Sequence, residues 1–99
     1  MEYNLESQLM PGTIVGDTNR TVMKCTKVRD AVPGETFATW VAICYLDGAY
    51  HPWVVWTVVA RPEGWHAESG DYCFDVAEAE KYFVRRGGES LAWEVLELS

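Results

Sequence analysis

Lysine and arginine are scarce in this chain: eight of them stand against fifteen aspartates and glutamates, a formal net charge of −7 over 99 residues. A nucleic-acid binder needs a basic stripe to release counterions from phosphates. The only basic cluster, Arg20, Lys24, Lys27 and Arg29, is short and has acids nearby. Direct nucleic-acid binding is therefore not expected. Cysteine is equally thin. Cys25, Cys44 and Cys73 are odd in number, widely spaced and without a Cys-x-x-Cys pair. That argues against a zinc knuckle or a disulfide framework and for small buried hydrophobes in a reducing compartment. No metal or cofactor is expected. The longest apolar stretch, Pro52 to Ala60, is far too short to span a bilayer, and Met1 to Glu6 lacks the basic and apolar regions of a signal peptide. These absences predict a cytoplasmic protein with no membrane partner. The glycines fit neither a dinucleotide fingerprint nor a phosphate loop, and no repeat or Gly/Ser linker divides the chain.

Apolar and aromatic residues, by contrast, are plentiful, at 48% and 13% of the chain. A single domain of this length buries roughly 60 to 65% of its unfolded surface, enough for one modest core. Five tryptophans are present, two of them inside Pro52-Trp53-Val54-Val55-Trp56-Thr57-Val58-Val59-Ala60. That run is apolar on both faces of a strand, so it needs two covers.

The pattern along the chain predicts an α+β fold: an antiparallel β-meander of four to five strands with one helix, about 76–86, packed on one face. Residues 1–20, broken by Pro11-Gly12 and Gly16-Asp17, read as a loosely ordered N-terminal arm with room for a short helix near Leu5 to Leu9. Residues 21–99 form the single domain. Strands are expected at Thr21 to Val28, Phe37 to Leu46, Pro52 to Ala60 and, less regularly, Trp65 to Phe74. Asp75 is a good N-cap, Glu78 can reach back to its amide, and Gly87 can close the helix. Leu91, Trp93 and Val95 alternate as in a strand, while Leu91, Val95 and Leu98 share one helical face; the strand is favoured.

Asp47-Gly48 predicts a two-residue type I′ hairpin. In that register Cys44 faces His51, Ala42 faces Trp53 and Trp40 faces Val55 on one side. Val41, Ile43, Tyr45, Tyr50, Val54, Trp56 and Val58 share the other. One three-turn helix, about 16 to 18 Å long, cannot cover both sides. The second side then falls to the N-terminal arm, a second copy of the chain or a target protein.

Catalytic groupings are weak. His66, Asp71 and Cys73, with Cys44 and His51 opposite each other, are the candidates, but a cysteine nucleophile needs a base in reach and a third group to orient it. No nucleophile signature surrounds any cysteine, so no enzyme is expected. The carboxylates read as a helix cap and a solvated face.

The strings Tyr50-His51-Pro52-Trp53-Val54-Val55-Trp56-Thr57-Val58 and Ser69-Gly70-Asp71-Tyr72-Cys73-Phe74-Asp75-Val76-Ala77-Glu78-Ala79-Glu80-Lys81-Tyr82-Phe83 resemble small single-domain proteins of actinobacterial phages and their hosts. The resemblance covers about Tyr50 to Arg86, roughly a third of the chain. It rests on a His-Pro-aromatic-Val strand, a Gly-x-Tyr-x-Phe strand and a Glu/Ala-rich helix. It implies a cytosolic phage accessory protein and carries over no catalytic residues. The expected function is a non-enzymatic protein that binds a host protein through an aromatic patch on an acidic surface, drawn from Tyr45, Tyr50, Trp53, Trp56, Trp65 and Trp40. The alternatives are a homodimeric assembly protein joined through the apolar sheet face, and an acidic inhibitor or DNA mimic.

Overall fold

The computed structural model describes residues 8–87. Five strands follow in chain order: β1 Ile14–Val15, β2 Arg20–Arg29, β3 Thr39–Tyr45, β4 Trp53–Arg61 and β5 Gly64–Cys73. A 3₁₀ turn, Gly16–Thr18, links the first two, and helix α1, Val76–Arg85, follows the last. Each strand pairs antiparallel with its predecessor, giving the order β1-β2-β3-β4-β5. The expected α+β meander with one helix is the fold observed. The tail at 90–98 and most of the helix expected near Leu5 lie outside the described residues.

β3 and β4 are built from Val, Ile, Trp, Thr and Cys, residues that fit a pleated surface. Their register departs from the expected hairpin. Tyr45 pairs with Trp53, Cys44 with Val54, Ala42 with Trp56 and Trp40 with Val58. The connection spans residues 46–52, closed by the Leu46 amide donating to the Pro52 carbonyl at 3.0 Å. Gly48 has φ +85 but Asp47 is not in the left-handed region, so a type I′ turn, which needs both, does not form. Pro52, with no amide hydrogen to give a ladder, stands just before β4. The pairing is displaced by an odd number of positions, and an odd displacement reverses the faces. Trp53 and Val55 therefore share a side with Val41, Ile43 and Tyr45, while Trp56, Val54 and Val58 join Trp40, Ala42 and Cys44.

The sheet curls until β1 and the 3₁₀ turn touch β5. Its inner face packs Trp40, Ala42, Cys44, Val54, Trp56 and Val58 against Leu9, Val15 and Val22, with Trp65 and Ala67 alongside. Trp40 meets Trp65 edge to face, centroids 6.3 Å apart. Residues 8–20, expected within a loose arm, are instead tied to the sheet: Leu9 is buried, the Gly12 amide donates to the Val22 carbonyl, and the Val22 amide donates to the Thr13 carbonyl. The second cover sought for the doubly apolar strands thus comes from this segment and from the curl itself.

The outer face belongs to α1. Ala79 and Phe83 pack on Val41, Ile43, Val55 and Cys73, with Trp53, Val76 and Tyr82 at the margin. Asp75 caps the helix by accepting from the Glu78 amide at 2.8 Å. Glu78 reaches back one residue further than expected, to the Phe74 amide at 3.0 Å. At the other end the Gly87 amide donates to the Val84 carbonyl with φ +102, a conformation glycine adopts without a Cβ clash. Arg86 pins the helix to the sheet: Nε and Nη2 donate to Asp71 Oδ2 at 3.0 and 2.7 Å, and Nη1 donates to Thr57 Oγ1 at 3.0 Å.

β5 carries a bulge opposite Trp56. Val55 pairs with Asp71 and Thr57 with Glu68, leaving Ser69 and Gly70 to face one tryptophan, with Ser69 at φ +50. The indole lies directly against Gly70. A Cβ there would sit 2.5 Å from Trp56 Nε1 and 3.2 Å from Tyr72 Cε1.

Candidate functional site: an aromatic patch at one end of the sheet

Register brings Thr21, Tyr45, Trp53 and Cys73 into one row across the sheet. At that end the loop 46–52, the start of β2 and the close of β5 converge. Tyr50 is 84% exposed, Phe74 65% and Tyr72 54%, an unusual degree of exposure for large rings so close together.

The rings form a continuous array. His51 lies 4.7 Å from Tyr50, 4.5 Å from Phe74 and 6.1 Å from Tyr72, and Tyr50 and Phe74 are 6.1 Å apart at 78°. Tyr72 then meets Trp56 edge to face at 6.5 Å. The inner end is closed by Arg20. Its guanidinium stands 5.9 Å from the Trp56 ring and 5.7 Å from the Tyr72 ring, while Nη1 donates to the Pro52 carbonyl at 2.7 Å. Two exposed carboxylates and one half-buried one stand near the outer end. Asp47 belongs to the loop that carries Tyr50, Asp75 follows Phe74, and Glu78 holds the Phe74 amide.

Of the six residues singled out by sequence, only Tyr50 stands in this patch with a largely open side chain. Trp40 and Trp56 are 5% and 7% exposed within the inner core. Trp56 still contributes one edge to the array. Tyr45 and Trp53 stack with each other at 4.6 Å on the helix-bearing side, and Tyr45 donates its hydroxyl to Asp47 Oδ1 at 3.1 Å. That bond and the adjacent carboxylate push the Tyr45 phenol pKa up. Trp65, half-buried, lines an open cavity of about 250 Å³ with Val15, Gly16, Thr18, His66 and Ala67, where β5 meets the 3₁₀ turn. The grouping of Trp56 with Tyr45 and Tyr50, and of Trp40 with Trp53, is corrected by the register.

The sequence alone does not place His51, Tyr72, Phe74 or Arg20 in an aromatic patch. Alternation held the signal for Tyr72, because its neighbour Cys73 is buried beneath the helix and successive strand residues point to opposite faces. Nothing in the sequence announced that Arg20 would turn inward under the rings.

The cysteines are placed for packing. Burial pushes the Cys25 thiol up to about 11, Cys44 to about 12 and Cys73 to about 11. A thiol so raised holds no thiolate near neutrality. Cys44 pairs with Val54 instead of His51. Cys73 and His66 sit at opposite ends of β5, roughly 20 Å apart along a strand rising about 3.3 Å per residue, which separates two members of the candidate catalytic grouping. Among the described residues, no group of three or more His, Cys, Asp or Glu side chains is arranged to hold a metal ion, and no helix is long and apolar enough to cross a membrane.

No protein-family model, curated protein or solved structure matches the chain.

Proposed function

We propose that this chain is a non-enzymatic binding protein that engages a protein partner through the patch formed by Tyr50, His51, Tyr72 and Phe74. The observation that carries the reading is the exposure of three large rings in one contiguous array, while Trp40 and Trp56 are buried and Trp53 and Trp65 are partly buried against the two cores. Aromatic side chains offer much contact area at little entropic cost and dominate the energetic centres of interfaces. The raised cysteine pKa values favour a binding role over thiol catalysis. On the resemblance of Tyr50 to Arg86 to phage-encoded proteins, the partner proposed is a bacterial host protein met in the cytoplasm. The homodimer alternative needs an open apolar sheet face, and α1 occupies one face while Leu9, Val15 and the curl occupy the other.

The test compares the wild-type chain with the double variant Tyr50→Ala/Phe74→Ala as immobilised baits in host lysate, with circular dichroism confirming that both are folded. Proteins held by the wild type and lost from the variant are expected. Identical recovery by both baits would overturn the proposal.

A further inference from the structure

The inner and outer halves of the patch differ in one respect. The inner half, Trp56 and Tyr72, already holds a cation supplied by the chain: the Arg20 guanidinium within 6 Å of both ring centroids, with one N–H spent on the Pro52 carbonyl. The outer half repeats the ring chemistry without the cation. Tyr50 and Phe74 stand at 78° to each other with His51 against both, and among the described residues no Lys or Arg lies over either ring.

We propose that this outer corner receives an arginine side chain of the partner, so that the patch recognises a basic, arginine-bearing peptide segment. The inference rests on the protein-binding reading above and names the partner's chemistry. Ring faces attract cations through their quadrupole, and guanidinium, planar and weakly hydrated, stacks on them more readily than an ammonium. Charge points the same way. The carboxylates nearest Tyr50 and Phe74 along the chain include exposed Asp47 and Asp75 and half-buried Glu78, which also holds the Phe74 amide, and the chain as a whole carries −7. An arriving arginine meets carboxylates at the rim and ring faces at the centre. A neutral apolar partner would desolvate those carboxylates without compensation, and a phosphate backbone would be repelled by them.

The test is a titration of the full ¹⁵N-labelled chain, followed by amide chemical shifts, with the capped peptide acetyl-Gly-Arg-Gly-Arg-Gly-amide and its citrulline counterpart, which keeps the shape and removes the charge. Shifts are expected to concentrate at residues 50–51 and 72–74, with the citrulline peptide weaker by at least about tenfold. Tyr50→Leu and Phe74→Leu, which keep an apolar side chain but remove the ring face, are expected to abolish the localised shifts. The citrulline comparison on the wild-type chain decides the matter even should a variant fold poorly. Equal binding of both peptides at the patch would overturn the cation inference and leave the protein-binding reading standing. Shifts scattered over acidic residues away from the patch, or unchanged in the Leu variants, would overturn it as diffuse attraction. Stronger localised binding of a single-stranded oligonucleotide would overturn it in favour of a nucleic acid.

Discussion

Gly70→Ala isolates the contact on which both the inner core and the patch depend. Gly70 is not in the left-handed region, so alanine meets no left-handed strain there and the loss comes from the steric clash, set against a gain of about 0.4 to 1 kcal/mol from a less flexible unfolded chain. The new methyl carbon would stand 2.5 Å from Trp56 Nε1, 3.0 Å from Trp56 Cδ1 and 3.2 Å from Tyr72 Cε1. The indole cannot simply withdraw, because Trp56 belongs to the buried cluster that holds Trp40, Val54 and Val58. Inserting a methyl group into such packing costs about 1 to 3 kcal/mol, and each kcal/mol lowers the melting temperature of a domain of this size by roughly 4 to 8 °C. Thermal and urea unfolding of Gly70→Ala, followed by far-ultraviolet circular dichroism, is expected to show that loss. The double variant Gly70→Ala/Trp56→Phe supplies the control. Phenylalanine lacks the Nε1 that the methyl meets most closely, so the two changes together should cost less than their sum, by about 0.5 kcal/mol or more. A Gly70→Ala chain melting within a degree of wild type, or strictly additive losses, would show that the indole does not lie against Gly70.

Other consequences can be measured in the same way. Arg86→Ala removes three hydrogen bonds joining α1 to β4 and β5 and is expected to cost about 1 to 3 kcal/mol in urea unfolding, with Arg86→Lys recovering only part of it. Trp40→Ala should cost about 3 to 5 kcal/mol, whereas Tyr50→Ala, on an open side chain, should stay within about 0.5 kcal/mol while weakening partner capture. Alkaline pH should destabilise the fold through its thiols. The unfolded thiols ionise near 9.0 but Cys44 and Cys73 hold their protons to about 12 and about 11, so above pH 9 the unfolded chain binds fewer protons and stability falls. The slope for each thiol is about half of 1.4 kcal/mol per pH unit at pH 9, approaches about 1.4 above about pH 10 while the folded thiol keeps its proton, and fades within roughly a unit below pH 9. Lys24 acts oppositely, since burial pushes its ammonium pKa down against the pull of Glu80. The decisive measurement is therefore the difference in slope between pH 9 and 10 for wild type and Cys44→Ala; equal slopes would refute the assignment.

The order from β2 to α1 was readable in the sequence because β2, β3 and β4 carry β-branched residues and the breaks carry their own signals: Asp75 and Gly87 bounded the helix, and Pro62-Glu63 became the turn between β4 and β5; β1, only two residues long, fell within the segment expected as a loose arm. The register of β3 against β4 was not readable, for a physical reason. Alternation fixes register only when one face is polar, and Trp53 to Ala60 is apolar on both. With no polar face to break the tie, the Asp47-Gly48 turn decided the expectation, and the longer loop ending at Pro52 decided the structure. Trp53 and Trp56 exchanged faces with it. The curl was hidden for a similar reason: it depends on Leu9, Val15 and Trp65 meeting across the sheet, a contact no local pattern encodes.

That meeting bears on how the chain reaches its fold. In a meander every strand pairs with its predecessor, so four of the five strands can zip together through short loops whose closure entropy is small. The approach of β1 and the 3₁₀ turn to β5 is different, because it joins segments separated by most of the sheet. Closing that seam has the longest loop to overcome and belongs late in folding. Until it closes, Trp40 and Trp56 lack their lid. The two-residue strand β1 is thus the latch of the barrel-like core, and its length sets how readily the core opens.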